Sequence, residues 1–149
     1  HVEATWGVGG AVSRRFIQGF SMGGFGAAML ARLHPDLFAA AVVWDGALHD
    51  WSTLKRNRGF IAKKQYGDDV AHFARWSPWP QGSPPTVPVL VVAGALKDFA
   101  HRYTTAVDAA GGSVRLIDTP CGHNLFAMQE AVADEAFAFL AQSPHRADL

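Results

Sequence analysis

Two unbroken apolar runs, Ala39–Trp44 and Val87–Ala93, constrain this chain more than any other feature of its sequence. A strand made of such a run has no solvent-facing side, so it must be covered on both faces. Strands of that kind belong to parallel sheets, where crossover helices supply the cover. Arg15–Gly19 and Val114–Asp118 are two further strand candidates, one before and one after this pair. Helical patterns stand between them. Met22, Phe25, Met29, Leu30 and Leu33 recur at helical spacing until His34-Pro35 ends the pattern. Phe99–Ala110 reads as a second helix, stopped by Gly111-Gly112, and Leu125–Leu140 as a third, amphipathic one. The alternation predicts the α/β class, with a mostly parallel sheet of about four strands flanked by helices. Asp45 to Thr86 fits neither period. It is rich in aromatics and dense in proline near its end, and reads as a long irregular stretch.

Composition removes several classes of function. Thirteen Lys and Arg balance thirteen Asp and Glu, so the chain lacks the basic footprint that nucleic-acid binding needs. The single cysteine, Cys121, excludes an internal disulfide and a multi-cysteine zinc site. No two histidines fall at the i, i+4 spacing of a zinc-protease helix, and no Gly-x-Gly-x-x-Gly follows a strand. Neither a metal nor an organic cofactor is therefore expected. No apolar run approaches the ~18 residues that a membrane span requires.

The strongest chemical signal is Gly19-Phe20-Ser21-Met22-Gly23, which lies where a strand candidate ends and a helix begins. G-x-S-x-G in that setting predicts a nucleophile elbow, a turn so tight that side chains two residues either side of the serine would collide. The bland alternative is a glycine-rich strand–helix turn with Ser21 as an ordinary N-cap. An elbow serine needs a base and an orienting acid, in the chain order Ser, Asp or Glu, then His. Asp98 follows the strand Val87–Ala93 and His123 follows the last strand, so both open onto the same sheet edge as Ser21. Asp45, directly after Ala39–Trp44, is a rival acid. Asp98 is preferred because the loop after the penultimate strand is the commoner place for it.

With these residues in view, the run from Arg14 to Ala27 and His34-Pro-Asp-Leu-Phe38 resembles the esterase family of the α/β-hydrolases. That family includes feruloyl and acetyl-xylan esterases, S-formylglutathione hydrolases and the antigen 85 mycolyltransferases. Val2 to Val8, Tyr66-Gly-Asp68, Trp76-Ser-Pro78 and Gly122-His-Asn124 resemble further landmarks of it. The resemblance implies a Ser21–Asp98–His123 triad that hydrolyses carboxylic esters of small molecules through an acyl-enzyme. It also exposes a departure: Asp45-Gly46 stands where relatives often carry Ser-Gly, and an acid there would alter the pocket's polarity or replace Asp98.

A full member has about eight strands, so the resemblance makes residues 1–149 a single domain truncated at its N-terminus, the C-terminal half of an α/β-hydrolase fold. Met22 would supply one oxyanion N–H, while the loop that normally gives the second is not in this chain. The strand Arg15–Gly19 would then be an unpaired edge, open to self-association or to a missing N-terminal half. Residues 46–86 fall where such enzymes insert cap elements. Phe20, Asp45, Trp51 and Trp79 are thus candidates for the substrate pocket. An acyltransferase on the same triad and a non-catalytic hydrolase-like interaction module are the alternative readings.

Overall fold

A computed structural model describes residues 5–6, 10–80 and 83–143. The expected resemblance of Val2 to Val8 therefore lies outside the described residues, apart from Thr5 and Trp6. Four strands form one sheet: β1 (Phe16–Phe20), β2 (Ala40–Trp44), β3 (Val89–Ala93) and β4 (Val114–Asp118). They lie in the order β1-β2-β3-β4 and every neighbouring pair is parallel. All residues of β2 and β3 are buried, as their unbroken apolar character requires.

Three helices run where the periodicity placed them: α1 (Met22–Leu33), α4 (Lys97–Ala109) and α5 (Leu125–Gln142). The two-residue alternation of the strands sorts the core into two layers. Ala41, Val43, Val89 and Val91 pack with Ala28 and Ala31 of α1 and with Tyr103 and Val107 of α4. Val42, Trp44, Leu90 and Val92 face the other way, onto Met128, Val132 and Ala136 of α5. The chain thus has the α/β fold, helices on both faces of a parallel sheet. No strand covers the outer side of β1 among the described residues, and Phe16 on that edge is exposed.

The stretch expected to be irregular holds two helices, α2 (Trp51–Tyr66) and α3 (Val70–Arg75). Local chemistry starts and stops them. Asp50 caps α2, its Oδ1 accepting from Thr53 N at 2.8 Å and from the Ser52 hydroxyl at 2.6 Å. Gly67, at φ 63°, ends it in the left-handed conformation that glycine adopts without a Cβ clash. Asp69 then caps α3 through Ala71 N at 2.8 Å. Leu54, Ala62, Tyr66 and Phe73 close a small third core beneath the pair.

The Asp50 cap should be measurable. Burial pushes its carboxyl up, but hydrogen bonds from Ser52 and Thr53 and the charge of Arg102 outweigh that and hold it at about 2, below its ordinary 3.8. A group depressed on folding stabilises fully above its unfolded pKa and loses that contribution as pH falls through the folded value. Asp50→Ala should therefore cost about 1 kcal/mol at neutral pH in denaturant unfolding. Its deficit relative to the parent chain should shrink between pH 4 and pH 2.

Candidate active site

The C-terminal ends of the parallel strands bring three side chains into one line. Ser21 sits between β1 and α1 at φ 56° and ψ −117°, a region that non-glycine residues rarely occupy. Its backbone is tied on both sides: Ser21 N donates to Trp44 O at 3.0 Å, and Ser21 O accepts from Phe25 N and Ala47 N, each at 3.2 Å. The steric reason for the first glycine is direct. A Cβ on Gly19 would stand 2.1 Å from the carbonyl oxygen of Gly23. A Cβ on Gly23 would meet nothing within 4 Å, so the expected two-sided collision is one-sided.

His123 leaves the loop after β4, preceded by Gly122 at φ 64°. Its Nε2 lies 3.0 Å from Ser21 Oγ and its Nδ1 lies 2.5 Å from Oδ2 of Asp45. The ring of Phe20 lies 4.5 Å from the imidazole, centroid to centroid, and limits its swing. Asp45 follows β2 with no intervening residue, at φ 41°, and is fully buried. Its Oδ1 accepts from Gly94 N at 2.8 Å and from Leu96 N at 2.9 Å. Both oxygens of this buried carboxylate are thus satisfied by N–H groups.

The structure places the expected acid, Asp98, away from this line of side chains. Asp98 is exposed in the first turn of α4, and the imidazole reaches Asp45 instead. The turn Gly94–Leu96 carries the chain away from the strand end before Asp98 is reached, and in that first turn a carboxylate favours the helix N-terminus. The same turn presents its N–H groups to Asp45. Asp45 is therefore a partner of His123 and not an exposed part of the pocket wall.

A cavity of about 670 Å³ opens in front of Ser21 and His123. Met22, which opens α1, lies on it, and the first N–H groups of a helix have no intrahelical acceptor. Its far wall is α2, through Leu54, Phe60 and Ile61, with Phe73 of α3. The two tryptophans expected there are elsewhere. Trp51 packs into the third core against Phe73 and Tyr66, and Trp79 stands edge-on to Tyr103. Trp51, Tyr66 and Phe73 thus hold α2 and α3 to each other, and Trp79 packs on α4. Leu54, Phe60 and Ile61 could have been found from helical spacing, had the segment been read as a helix.

A parallel α/β domain with serine, histidine and aspartate converging at its strand ends defines a class, the α/β-hydrolase fold. The chain belongs to the esterase family described as "Putative esterase", whose model matches residues 2–115. That match includes Ser21 and Asp45 and stops short of His123. Among curated proteins nothing matches significantly. Three solved structures share the fold. An acylaminoacyl peptidase has TM-score 0.68 at 17% identity, with 90% of this chain and 24% of that one covered. A ferulic acid esterase has TM-score 0.64 at 22% identity, covering 96% and 56%. The S-formylglutathione hydrolase of Staphylococcus aureus has TM-score 0.68 at 17% identity, covering 95% and 56%. The chain spans between a quarter and somewhat over half the length of these structural relatives.

Proposed function

We propose that this chain carries the catalytic triad of a serine esterase, with Ser21 as nucleophile, His123 as general base and Asp45 as the orienting acid. The observation that carries the reading is the unbroken relay from Ser21 Oγ through both ring nitrogens of His123 to buried Asp45. With its Nδ1–H donated to Asp45, the imidazole turns the lone pair of Nε2 to the serine hydroxyl. Ser21 Oγ attacks the ester carbonyl as its proton passes to Nε2, and the imidazolium is stabilised by Asp45. Collapse of the tetrahedral intermediate expels the alcohol, protonated by His123, and leaves an acyl-serine that water hydrolyses by the reverse sequence. The Met22 N–H, at the start of α1, is the donor for the developing oxyanion. Membership of an esterase family supports the ester as substrate, and the apolar wall from α2 supports an acyl group with apolar character.

A fluorophosphonate probe tests the nucleophile without any assumption about substrate. The expected result is a covalent adduct located at Ser21 by peptide mass spectrometry and absent from Ser21→Ala. Failure of the folded parent chain to label, or labelling at another residue, would overturn the assignment.

A further inference from the structure

The helix that walls the cavity is charged in one sign. Residues 51–66 hold Lys55, Arg56, Arg58, Lys63 and Lys64 and no acidic residue, in a chain whose formal net charge is zero. Lys55 is engaged with Asp68. The Arg58 guanidinium makes no ion pair or hydrogen bond among the described residues, and it lines the cavity that Ser21 faces. Among the described residues it is the one permanently charged side chain on that wall, because no other Lys or Arg and no Asp or Glu lines the cavity and Asp45 is buried behind His123. Helix α2 departs from helical geometry at this residue, at φ −143° and ψ 46°, and Asn57, Phe60 and Ile61 beside it also face the cavity. His49, on the same wall, does not compete for an anion. Burial and then the Arg58 charge push its imidazole down, against a weaker pull from Asp50, and so favour its neutral form.

Arg58 is exposed at the cavity wall, where an unpaired guanidinium offers a planar fork of donors that fits a carboxylate bidentately. The remaining cations of α2 would raise the local concentration of an anion near the cavity. We propose that the substrate is an ester bearing its own carboxylate, which Arg58 binds while the scissile carbonyl lies at Ser21. This rests on the hydrolase reading above and adds the substrate's charge to it. The cavity is within the usual ~300–1,000 Å³ of small-molecule sites, large enough for an acyl or alcohol portion with a terminal acid.

The test compares three p-nitrophenyl-type esters of similar size on the full chain. One is the neutral pentanoate, one is the glutarate half-ester with its acid in the acyl group, and one is a pentanoate with a carboxylate on the nitrophenyl ring. At low salt the parent chain should show the higher kcat/KM for one of the two charged esters, and which one it is locates the acid on the acyl or the alcohol side. Arg58→Gln should lower the charged-to-neutral ratio of kcat/KM about tenfold. Arg58→Lys, which keeps the charge, should retain most of it. A ratio that Arg58→Gln leaves within about twofold of the parent would overturn the proposal.

Fluorophosphonate labelling of Ser21 judges the hydrolase reading separately, and if none of the esters is turned over, calorimetry decides the charge. Ser21→Ala should bind the glutarate half-ester more tightly than Ser21→Ala/Arg58→Gln does. Equal affinities, or no binding to either, would count against Arg58.

Discussion

Asp45→Asn should lower the turnover of an activated ester by about 10⁴-fold, while Asp98→Asn leaves it within about threefold. The two residues each follow a strand of the same sheet, yet they stand in different chemistry. Asp45 is fully buried and holds the Nδ1–H of His123, so the amide would offer that ring either an oxygen or an NH2 group. The neutral side chain cannot stabilise an imidazolium, and its NH2 orientation would favour the tautomer whose Nε2 already bears a proton and cannot accept one from Ser21. The loss reaches further than the histidine. Oδ1 also takes the N–H groups of Gly94 and Leu96, so the side chain is pinned and the amide must place its oxygen there, turning its NH2 toward His123. Asp98, exposed at the head of α4, touches none of this. Steady-state hydrolysis of a p-nitrophenyl ester and the rate of fluorophosphonate labelling both report the difference. A large loss in Asp98→Asn with little in Asp45→Asn would return the acid to the loop after β3.

The sequence pointed to the other aspartate for a backbone reason. Both Asp45 and Asp98 leave a strand at the same edge, and residue type and chain order do not separate them. The discriminator is the turn each one sits in. Asp45 takes a positive φ immediately after β2, which bends its carboxylate back over the sheet end, and aspartate is among the few residues that adopt such a φ at moderate cost. The pair Asp45-Gly46 carried that signal weakly, because Gly46 has its own packing reason: a Cβ there would stand 2.5 Å from Val43 Cγ1. Ser21 and His123 were legible because each is marked by local punctuation, the glycines around one and the Pro120-Cys-Gly turn before the other.

The same contrast holds for the fold. Helix α1 spans Met22–Leu33 as its spacing predicts, and β4 spans Val114–Asp118, because burial in this sheet writes a strong period into the residues. Helix α2 was not legible as a helix. Its buried positions Leu54, Ala62 and Tyr66 are separated by a cationic stretch and by the irregular backbone at Arg58, so the apolar period is broken at mid-length. A segment that packs on its neighbours by one narrow face, and turns its other residues to a cavity and to solvent, carries little of the signal that marks a core helix.

Gly94→Ala should damage both the stability and the reactivity of this chain. A Cβ at that position would stand 2.0 Å from the carbonyl oxygen of Gly122 and 2.1 Å from Met128 Cε. The methionine end can swing away, but Gly122 is backbone, held at φ 64° immediately before His123. Relief must therefore come from moving the loop after β3 or the loop after β4. Moving the first pulls the Gly94 N–H from Asp45, and moving the second pulls His123 from Ser21. Overpacking of this kind costs about 1–3 kcal/mol, readable in denaturant unfolding. A displacement near 1 Å at the reacting groups costs about 10²-fold in rate, so labelling of Ser21 should fall by that order in protein that is still folded. Two comparisons separate this cause from a general loss of stability. Gly122→Ala meets no atom within 4 Å and should lose only the ~1–2 kcal/mol of a left-handed backbone. Gly94→Ala combined with Met128→Ala removes the flexible half of the clash and leaves the backbone half, so it should not restore labelling. Recovery of labelling in that double variant would show that the methionine, and not the approach of the two catalytic loops, is what requires glycine at position 94.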